Sequence, residues 1–187
     1  MEKCIIDLIC ATTQITPVHF RAIGTRENHS QYDQNIEQSF SAELFHRFKS
    51  LIELPANTNY YNNLILHFDI TKLSVGSRPD LVLHESQANR NNQKMFIEVK
   101  TDPKANLTDD FNKLIMSTAE YLNFQNSVLI VVNRSFEETH NLIKNHKEFY
   151  SIPNERKSRI FIINLYQGED DLIDYNLYNI KYLYNKQ

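Results

Sequence analysis

The sequence predicts an α/β fold in which helices flank a central mixed sheet of four to five strands. Helical and strand-like segments alternate along the chain, and two continuous apolar runs, at 127–133 and 159–165, are typical of strands that are buried on both faces. Only three glycines and five prolines occur in 187 residues, and no repeat or low-complexity block interrupts them. We therefore expect a single domain over residues 1–187.

The first half of the chain predicts two helices followed by a three-strand meander. Residues 1–12 have the pattern of a short helix, and 13–32 are polar and irregular. The segment 33–53 has apolar residues at spacings of three and four, as in an amphipathic helix; they are Ile36, Phe40, Leu44, Phe48 and Leu51. Three strand-like segments follow, each bounded by a turn or a polar loop, at 64–72, 79–85 and 94–100.

The second half predicts helices that alternate with buried strands. We expect residues 107–124 to form a helix. Thr108 and Asp109 lie near its start, and both residue types are favoured at helix N-termini. The tyrosine-rich tail mixes two periodicities, so an edge strand and a closing helix both remain open for it. A helix, a three-strand meander, a crossover helix and a further strand span about 33–133, which leaves 134–187 as a C-terminal extension. The remaining elements are two strands and a helix, at 127–133, 159–165 and about 136–149.

Composition and charge exclude several classes of protein. Hydrophobic residues make up 41% and charged residues 23% of the chain, which is typical of a globular protein and excludes a disordered or fibrous one. No apolar run approaches the roughly 20 residues that cross a bilayer, and the N-terminal segment lacks the layout of a signal peptide. Cys4 and Cys10 have no second pair with which to form a zinc site. We expect a cytoplasmic protein with reduced thiols and no membrane contact.

Two short motifs on neighbouring predicted strands carry the candidate functional side chains. Asp80 follows Pro79 at the start of one strand, and Glu98 and Lys100 lie at the end of the next. Residues two apart on a strand point to the same face, and an antiparallel hairpin through the loop at 86–93 places Asp80 opposite this pair. Two close carboxylates repel each other unless a cation lies between them, and oxygen ligands favour Mg²⁺ or Mn²⁺. The sequence therefore predicts a divalent-metal site beside a lysine.

A third carboxylate, Glu37, lies within the apolar arc of the helix predicted at 33–53. At about 100° per residue the apolar side chains cover roughly 120°, and Glu37 points near the middle of that arc. An ionised glutamate there is costly unless it is paired or lies close to a cation. A partner arginine or a frayed first helical turn would also explain it. With Asp80 and Glu98 expected nearby, we interpret Glu37 as part of the metal site.

These motifs together resemble the PD-(D/E)xK nuclease superfamily, which includes type II restriction enzymes and archaeal Holliday-junction resolvases. An E-x-K triplet alone is most often an exposed ion pair on a strand, so the resemblance depends on its combination with the proline-aspartate pair and the helical glutamate. It implies a restriction endonuclease-like core, whose element order matches the one predicted here. The residues that carry the resemblance are Glu37, Pro79-Asp80 and Glu98-Val99-Lys100.

The resemblance also implies a role for each residue of the site. Asp80, Glu98 and the backbone carbonyl of Val99 would coordinate Mg²⁺, for which Mn²⁺ can substitute. Glu37 would act on the metal through water or indirectly. Lys100 would position the attacking water or neutralise charge that develops on the phosphate. All four side chains are therefore catalytic candidates.

The implied function is a metal-dependent nuclease that hydrolyses phosphodiester bonds, with DNA as the expected partner and a 5′-phosphate as the product. The net charge of −3 favours a rival hypothesis, because proteins that bind nucleic acid usually carry a basic excess. In that rival the chain is a non-catalytic nuclease-fold module that binds or assembles a DNA repair or defence complex. A homodimer is compatible with either. The candidates for contacts with the nucleic-acid backbone, for which turn or solvent-exposed roles are also open, are Ser77, Arg78, Lys104 and Lys113.

Overall fold

The fold is α/β, with helices on both faces of a six-stranded mixed sheet. None of the helices described is long and apolar enough to cross a membrane. The structure, a computed structural model, describes residues 1–16, 19, 29–69, 78–85, 92–167 and 173–183, and it describes only the backbone of 29–35, 167 and 173.

The six strands follow one another across the sheet in chain order. The first three form an antiparallel meander, the next two each join their neighbour in parallel, and the last pairs antiparallel with the fifth. Parallel neighbours need a crossover connection, which the helices between the third, fourth and fifth strands supply. The strands are β1 (Ile65–Phe68), β2 (Leu81–His84), β3 (Gln93–Lys100), β4 (Asn126–Val132), β5 (Ile160–Gln167) and β6 (Ile173–Asn179).

Among the described residues, six helices surround the sheet, and two short 3₁₀ segments lie at Pro55–Asn57 and Ile180–Tyr182. The start of the fifth helix has a capping box, in which Ser135 and Glu138 exchange side-chain to backbone hydrogen bonds. The first two helices cover one face of the sheet, and the fourth and fifth cover the other. The helices are α1 (Lys3–Thr13), α2 (His29–Ile52), α3 (Thr58–Tyr61), α4 (Thr108–Ser117), α5 (Phe136–Lys144) and α6 (Asn154–Lys157).

The core consists of two apolar layers, one on each face of the sheet. On β3, Ile97 and Val99 face α1 and α2, whereas Phe96 faces α4. All three are buried, and every residue of β4 is buried as well, which confirms the prediction that the strand at 127–133 is covered on both faces. Phe48 of α2 is fully buried in the first layer, and its replacement by alanine is expected to cost about 3–5 kcal/mol.

The predicted count of four to five strands is wrong, because the tyrosine-rich tail adds a sixth. The tail pairs antiparallel with β5 from Ile173 to Asn179, so the edge strand is the correct alternative of the two that the sequence left open. Its own residues do not distinguish the two, since the exposed backbone edge of β5 supplies the hydrogen-bond partners. The extension over 134–187 therefore contributes β5 and β6 to the same sheet.

Several predicted boundaries also differ from the structure. The helix predicted at 107–124 ends at Ser117, because the hydroxyls of Ser117 and Thr118 donate to carbonyls three residues back and Asn123 has a positive φ of 53°. The helix predicted at about 136–149 ends at Lys144. The described part of helix α2 begins at His29, four residues before the predicted start at 33. Part of the predicted strand 64–72 and of the hairpin loop 86–93 lies outside the described residues.

Candidate metal centre

The antiparallel pairing of β2 with β3 brings Asp80 to the end of β3. Leu81 pairs with Ile97, so Asp80 lies one position further along, level with Glu98. The Val99 N–H donates a hydrogen bond to Asp80 Oδ2 at 2.6 Å. The predicted hairpin geometry, in which Asp80 lies opposite Glu98, is therefore confirmed.

Glu98 is a buried acid with one oxygen that lacks a partner. The residue is 2% exposed, and its Oε2 accepts a hydrogen bond from Lys113 Nζ at 2.8 Å. Among the described residues, Oε1 has no hydrogen-bond partner. Burial and, after it, the negative charge of Asp80 raise the pKa of Glu98 to about 8, although Lys113 offsets part of the rise. Such a carboxyl either keeps a proton near neutral pH or needs a cation beside it.

Asp80 responds in the same direction but more weakly. Burial raises the pKa of Asp80, the hydrogen bond from the Val99 N–H opposes the rise, and the charge of Glu37 adds to it. The net result is a pKa of about 6. The two acids that the sequence assigned to the metal are thus both destabilised in their ionised form. Acids in this condition are typical of functional sites, because a cation or a reaction compensates them there.

Two lysines hold this end of the sheet together. Lys100 Nζ donates to Glu37 Oε1 at 3.2 Å and lies 3.6 Å from Asp110 Oδ2. Lys113 Nζ lies 2.8 Å from Glu98 Oε2 and 3.3 Å from Asp110 Oδ1. Burial opposes the charge of both ammonium groups, but the surrounding carboxylates outweigh burial and raise the pKa of each lysine. Both lysines are therefore fully charged at neutral pH.

The structure adds one residue that the sequence interpretation missed. Asp110, in the first turn of α4, bridges the two lysines and has a side chain only 7% exposed. It lies on the apolar face of its helix, with Phe111 and Leu114 buried beside it. This is the same signal that singled out Glu37, an acid within an apolar arc. Applied to α4, the argument would have identified Asp110 as well.

The charges of the assembled cluster do not balance. Its acids are Glu37, Asp80, Glu98 and Asp110, and its bases are Lys100 and Lys113. When all six groups are ionised, two negative charges remain in a partly buried place, which is costly. One divalent cation would neutralise them, and hard carboxylate oxygens are the ligands that Mg²⁺ prefers. The free Glu98 Oε1 makes the donor set fit such an ion.

The carboxylates are, however, spread around the lysines rather than around one point. In the part of the chain that the structure describes, no three His, Cys, Asp or Glu side chains are grouped as they would be about a metal ion. Asp80 and Glu98 stay the predicted side-chain ligands of an ion. The Val99 carbonyl, which follows Glu98 on β3, stays a predicted third ligand.

The predicted nucleic-acid contacts have separate positions. Lys113 belongs to the cluster itself. Arg78, which lies two residues before Asp80, is exposed and forms an ion pair with Asp69. Lys104 is exposed, with its backbone N–H bound to Asp102. Ser77 lies outside the described residues.

Comparisons with known proteins do not indicate a function for this chain. No protein-family model matches the chain, and neither curated proteins nor solved structures include a significant match to it. Function has to be argued from the site in any case, since one fold hosts many activities.

Proposed function

We propose that this chain is a magnesium-dependent nuclease with a restriction endonuclease-like core that hydrolyses phosphodiester bonds in DNA. One observation carries the proposal. Among the described residues, one buried carboxylate oxygen of Glu98 has no hydrogen-bond partner, and it lies at the end of the sheet where Asp80 and Lys100 also lie. Two acids with raised pKa values beside a charged lysine need a cation, and together they suit attack by water on a phosphodiester.

Asp80 and Glu98 would hold the ion, with the Val99 carbonyl as a further ligand. Bound Mg²⁺ would polarise a phosphoryl oxygen and lower the pKa of a coordinated water. The chain's own contribution is to keep the two carboxylates close in a place largely closed to solvent. The hydrogen bond from the Val99 N–H fixes Asp80, and the ion pair with Lys113 fixes Glu98.

Lys100 would position the attacking water or stabilise the charge that grows on the phosphate. Its ammonium is held by Glu37 and Asp110 from two different helices, so its position is well defined. A fixed positive charge in a partly buried site stabilises a developing negative charge without having to reorganise. Glu37 and Asp110 act through Lys100, which makes them positioning residues.

Plasmid nicking in Mg²⁺ or Mn²⁺ tests the proposal. The wild-type chain is expected to convert supercoiled to open-circular DNA, while Asp80→Ala and Lys100→Ala lose this activity. Lys94→Ala is the matched control, because Lys94 lies at the opposite end of β3 and its replacement removes the same charge. Cleavage that survives both Asp80→Ala and Lys100→Ala would contradict the assignment of these residues.

The rival function is a nuclease-fold module that binds a partner without cleaving nucleic acid. Two observations favour it: each lysine of the cluster already neutralises carboxylates, and the net charge is −3. Calorimetry with Mn²⁺ separates the two functions. Binding that is lost in Asp80→Ala supports the nuclease, whereas a wild-type chain that binds no Mn²⁺ at millimolar concentrations supports the rival.

A further inference from the structure

An open cavity lies at the same end of the sheet as the candidate metal centre. It has a volume of about 670 Å³ and is bordered by the loop after β3, the start of α4, the residue range after β4 and helix α5. That volume is in the usual range for small-molecule and cofactor sites. The loop 101–107 begins directly after Lys100 and contributes Pro103 to the cavity wall, so one loop borders both places.

Arg134 lies in the wall of this cavity with part of its guanidinium unused. It is 5% exposed, and its Nε and Nη2 each donate at 2.6 Å to backbone carbonyls, those of Pro103 and Ala105. Its Nη1 is buried and has no hydrogen-bond partner among the described residues. A buried charged donor without a partner is costly, and native proteins normally satisfy such groups. The rigidly held guanidinium therefore lies in the cavity wall with one NH₂ group that has no hydrogen-bond partner among the described residues.

The other lining residues favour an anion with several oxygens. Lys147 adds a second, exposed cation, and the amides of Asn141 and Asn145 add neutral donors. Glu138 is the acid in the wall, but its carboxylate is engaged by the Ser135 N–H and hydroxyl in the α5 capping box. The wall therefore contains two cations, Arg134 and Lys147, and one occupied carboxylate, while Asp102 is a further acid whose charge acts on Arg134.

We propose that this cavity binds a phosphate group of the nucleic acid that occupies the metal centre, with Arg134 and Lys147 as its cationic contacts. This inference rests on the proposed nuclease function. A guanidinium matches the oxygen geometry of a phosphate, and a phosphate contact fixes the register of a strand without reading its bases. The strand would cross the loop 101–107, with the scissile phosphate at Asp80 and Glu98 and another phosphate at Arg134.

The first test uses inorganic phosphate and the full chain. Thermal unfolding is followed as phosphate replaces chloride at constant ionic strength, since a ligand that binds the native state raises the melting temperature. Lys147→Gln is the main variant, because Arg134 also anchors the loop. Lys181→Gln removes the same charge from an exposed position outside the cavity and serves as the control. We expect Lys147→Gln to weaken phosphate binding about tenfold, as for loss of one charged contact, and Lys181→Gln to leave it unchanged.

The second test measures DNA binding by fluorescence anisotropy at several salt concentrations, without divalent metal. Loss of one phosphate contact is expected to reduce the slope of log affinity against log salt by about 0.7–0.9 in Lys147→Gln but not in Lys181→Gln. If phosphate binds the cavity but the slopes agree, the nucleic acid is not its source, and a free phosphate compound is. If phosphate stabilises wild type, Lys147→Gln and Lys181→Gln equally, the site itself is refuted. A wild-type chain that binds phosphate but neither binds nor cleaves DNA in Mg²⁺ contradicts the proposed function and leaves the anion site standing.

Discussion

Strand β3 carries a glutamate–lysine pair at each end, and the two pairs behave in opposite ways. At the beginning of the strand, Lys94 Nζ lies 3.3 Å from Glu2 Oε2 and donates to Gln125 Oε1 at 2.7 Å. Asn126 Nδ2 donates to the same Glu2 oxygen at 2.9 Å. Burial opposes the ionisation of Glu2, but Asn126 and Lys94 outweigh it and hold the pKa of Glu2 below its usual range. This end is a satisfied structural network.

At the far end the balance is reversed. Glu98 also has a lysine partner, Lys113, yet burial and the neighbouring Asp80 raise the pKa of Glu98 to about 8. The chemical groups are the same at both ends, so the difference lies in burial and in the excess of carboxylates. A structural ion pair stabilises the charged form of its acid. A site that binds a cation has more negative than positive charge when the cation is absent. Four predictions test this contrast, from the largest expected effect to the smallest.

The largest expected difference is in catalysis. Glu98→Gln should reduce DNA cleavage on the order of 10³-fold, because a metal ligand contributes several kcal/mol of transition-state stabilisation. Glu2→Gln, the same change at the other end, should leave the rate within about twofold. Initial rates of plasmid nicking under saturating Mg²⁺ measure both. Equal rates for the two variants would remove the functional distinction between the ends.

Metal affinity should depend strongly on pH. The pKa values of about 8 for Glu98 and about 6 for Asp80 mean that an ion must displace protons to bind below pH 8. Mn²⁺ affinity is therefore expected to rise by about tenfold for each pH unit between pH 6 and 8, where one proton leaves per ion. Calorimetry in buffers of different ionisation enthalpy measures the affinity and the proton release together. A flat affinity profile would contradict the metal role of Glu98.

Stability of the metal-free chain should change with pH in the direction set by these raised pKa values. An acid whose pKa is higher in the folded state contributes stability that is complete below its unfolded pKa, near 4, and is lost as the pH rises through the folded value. The free energy of unfolding should thus fall by on the order of 2 kcal/mol between pH 5 and 9. Urea unfolding at several pH values measures it. Glu98→Gln should flatten the fall above pH 7, and an unchanged slope in that variant would count against the raised pKa of Glu98.

The smallest effect is expected at Glu2. Its side chain is 45% exposed, so Glu2→Gln should cost less than about 1 kcal/mol at neutral pH and still less in high salt. The pKa of Glu2 is lowered in the folded state, so its contribution is present above the unfolded pKa and is lost as the pH falls through the folded one. Urea unfolding at pH 7 and pH 3 checks this sign. A variant that is destabilised more at pH 3 than at pH 7 would reverse it.

Local patterns in the sequence are enough to predict most of the fold and the centre of the site. Spacings of three and four located α2, and unbroken apolar runs located β4 and β5, because burial imposes a periodicity that can be read along the chain. Asp80 and Glu98 could be paired for a similar reason. They belong to consecutive strands, and a hairpin leaves little choice of register.

The sequence by itself determined which segments form buried strands, where those strands end and which acids face inward. These features depend on residues that are close together along the chain. Tertiary structure alone decided what each of them meets. Lys100 contacts Glu37 across 63 positions of sequence, and β6 exists because β5 offers it an open edge. Arg134 donates hydrogen bonds to Pro103 and Ala105, about thirty positions away in sequence, and so helps to form the wall of the cavity beside α5. Periodicity tells which face a side chain occupies, but long-range packing determines what lies opposite that face.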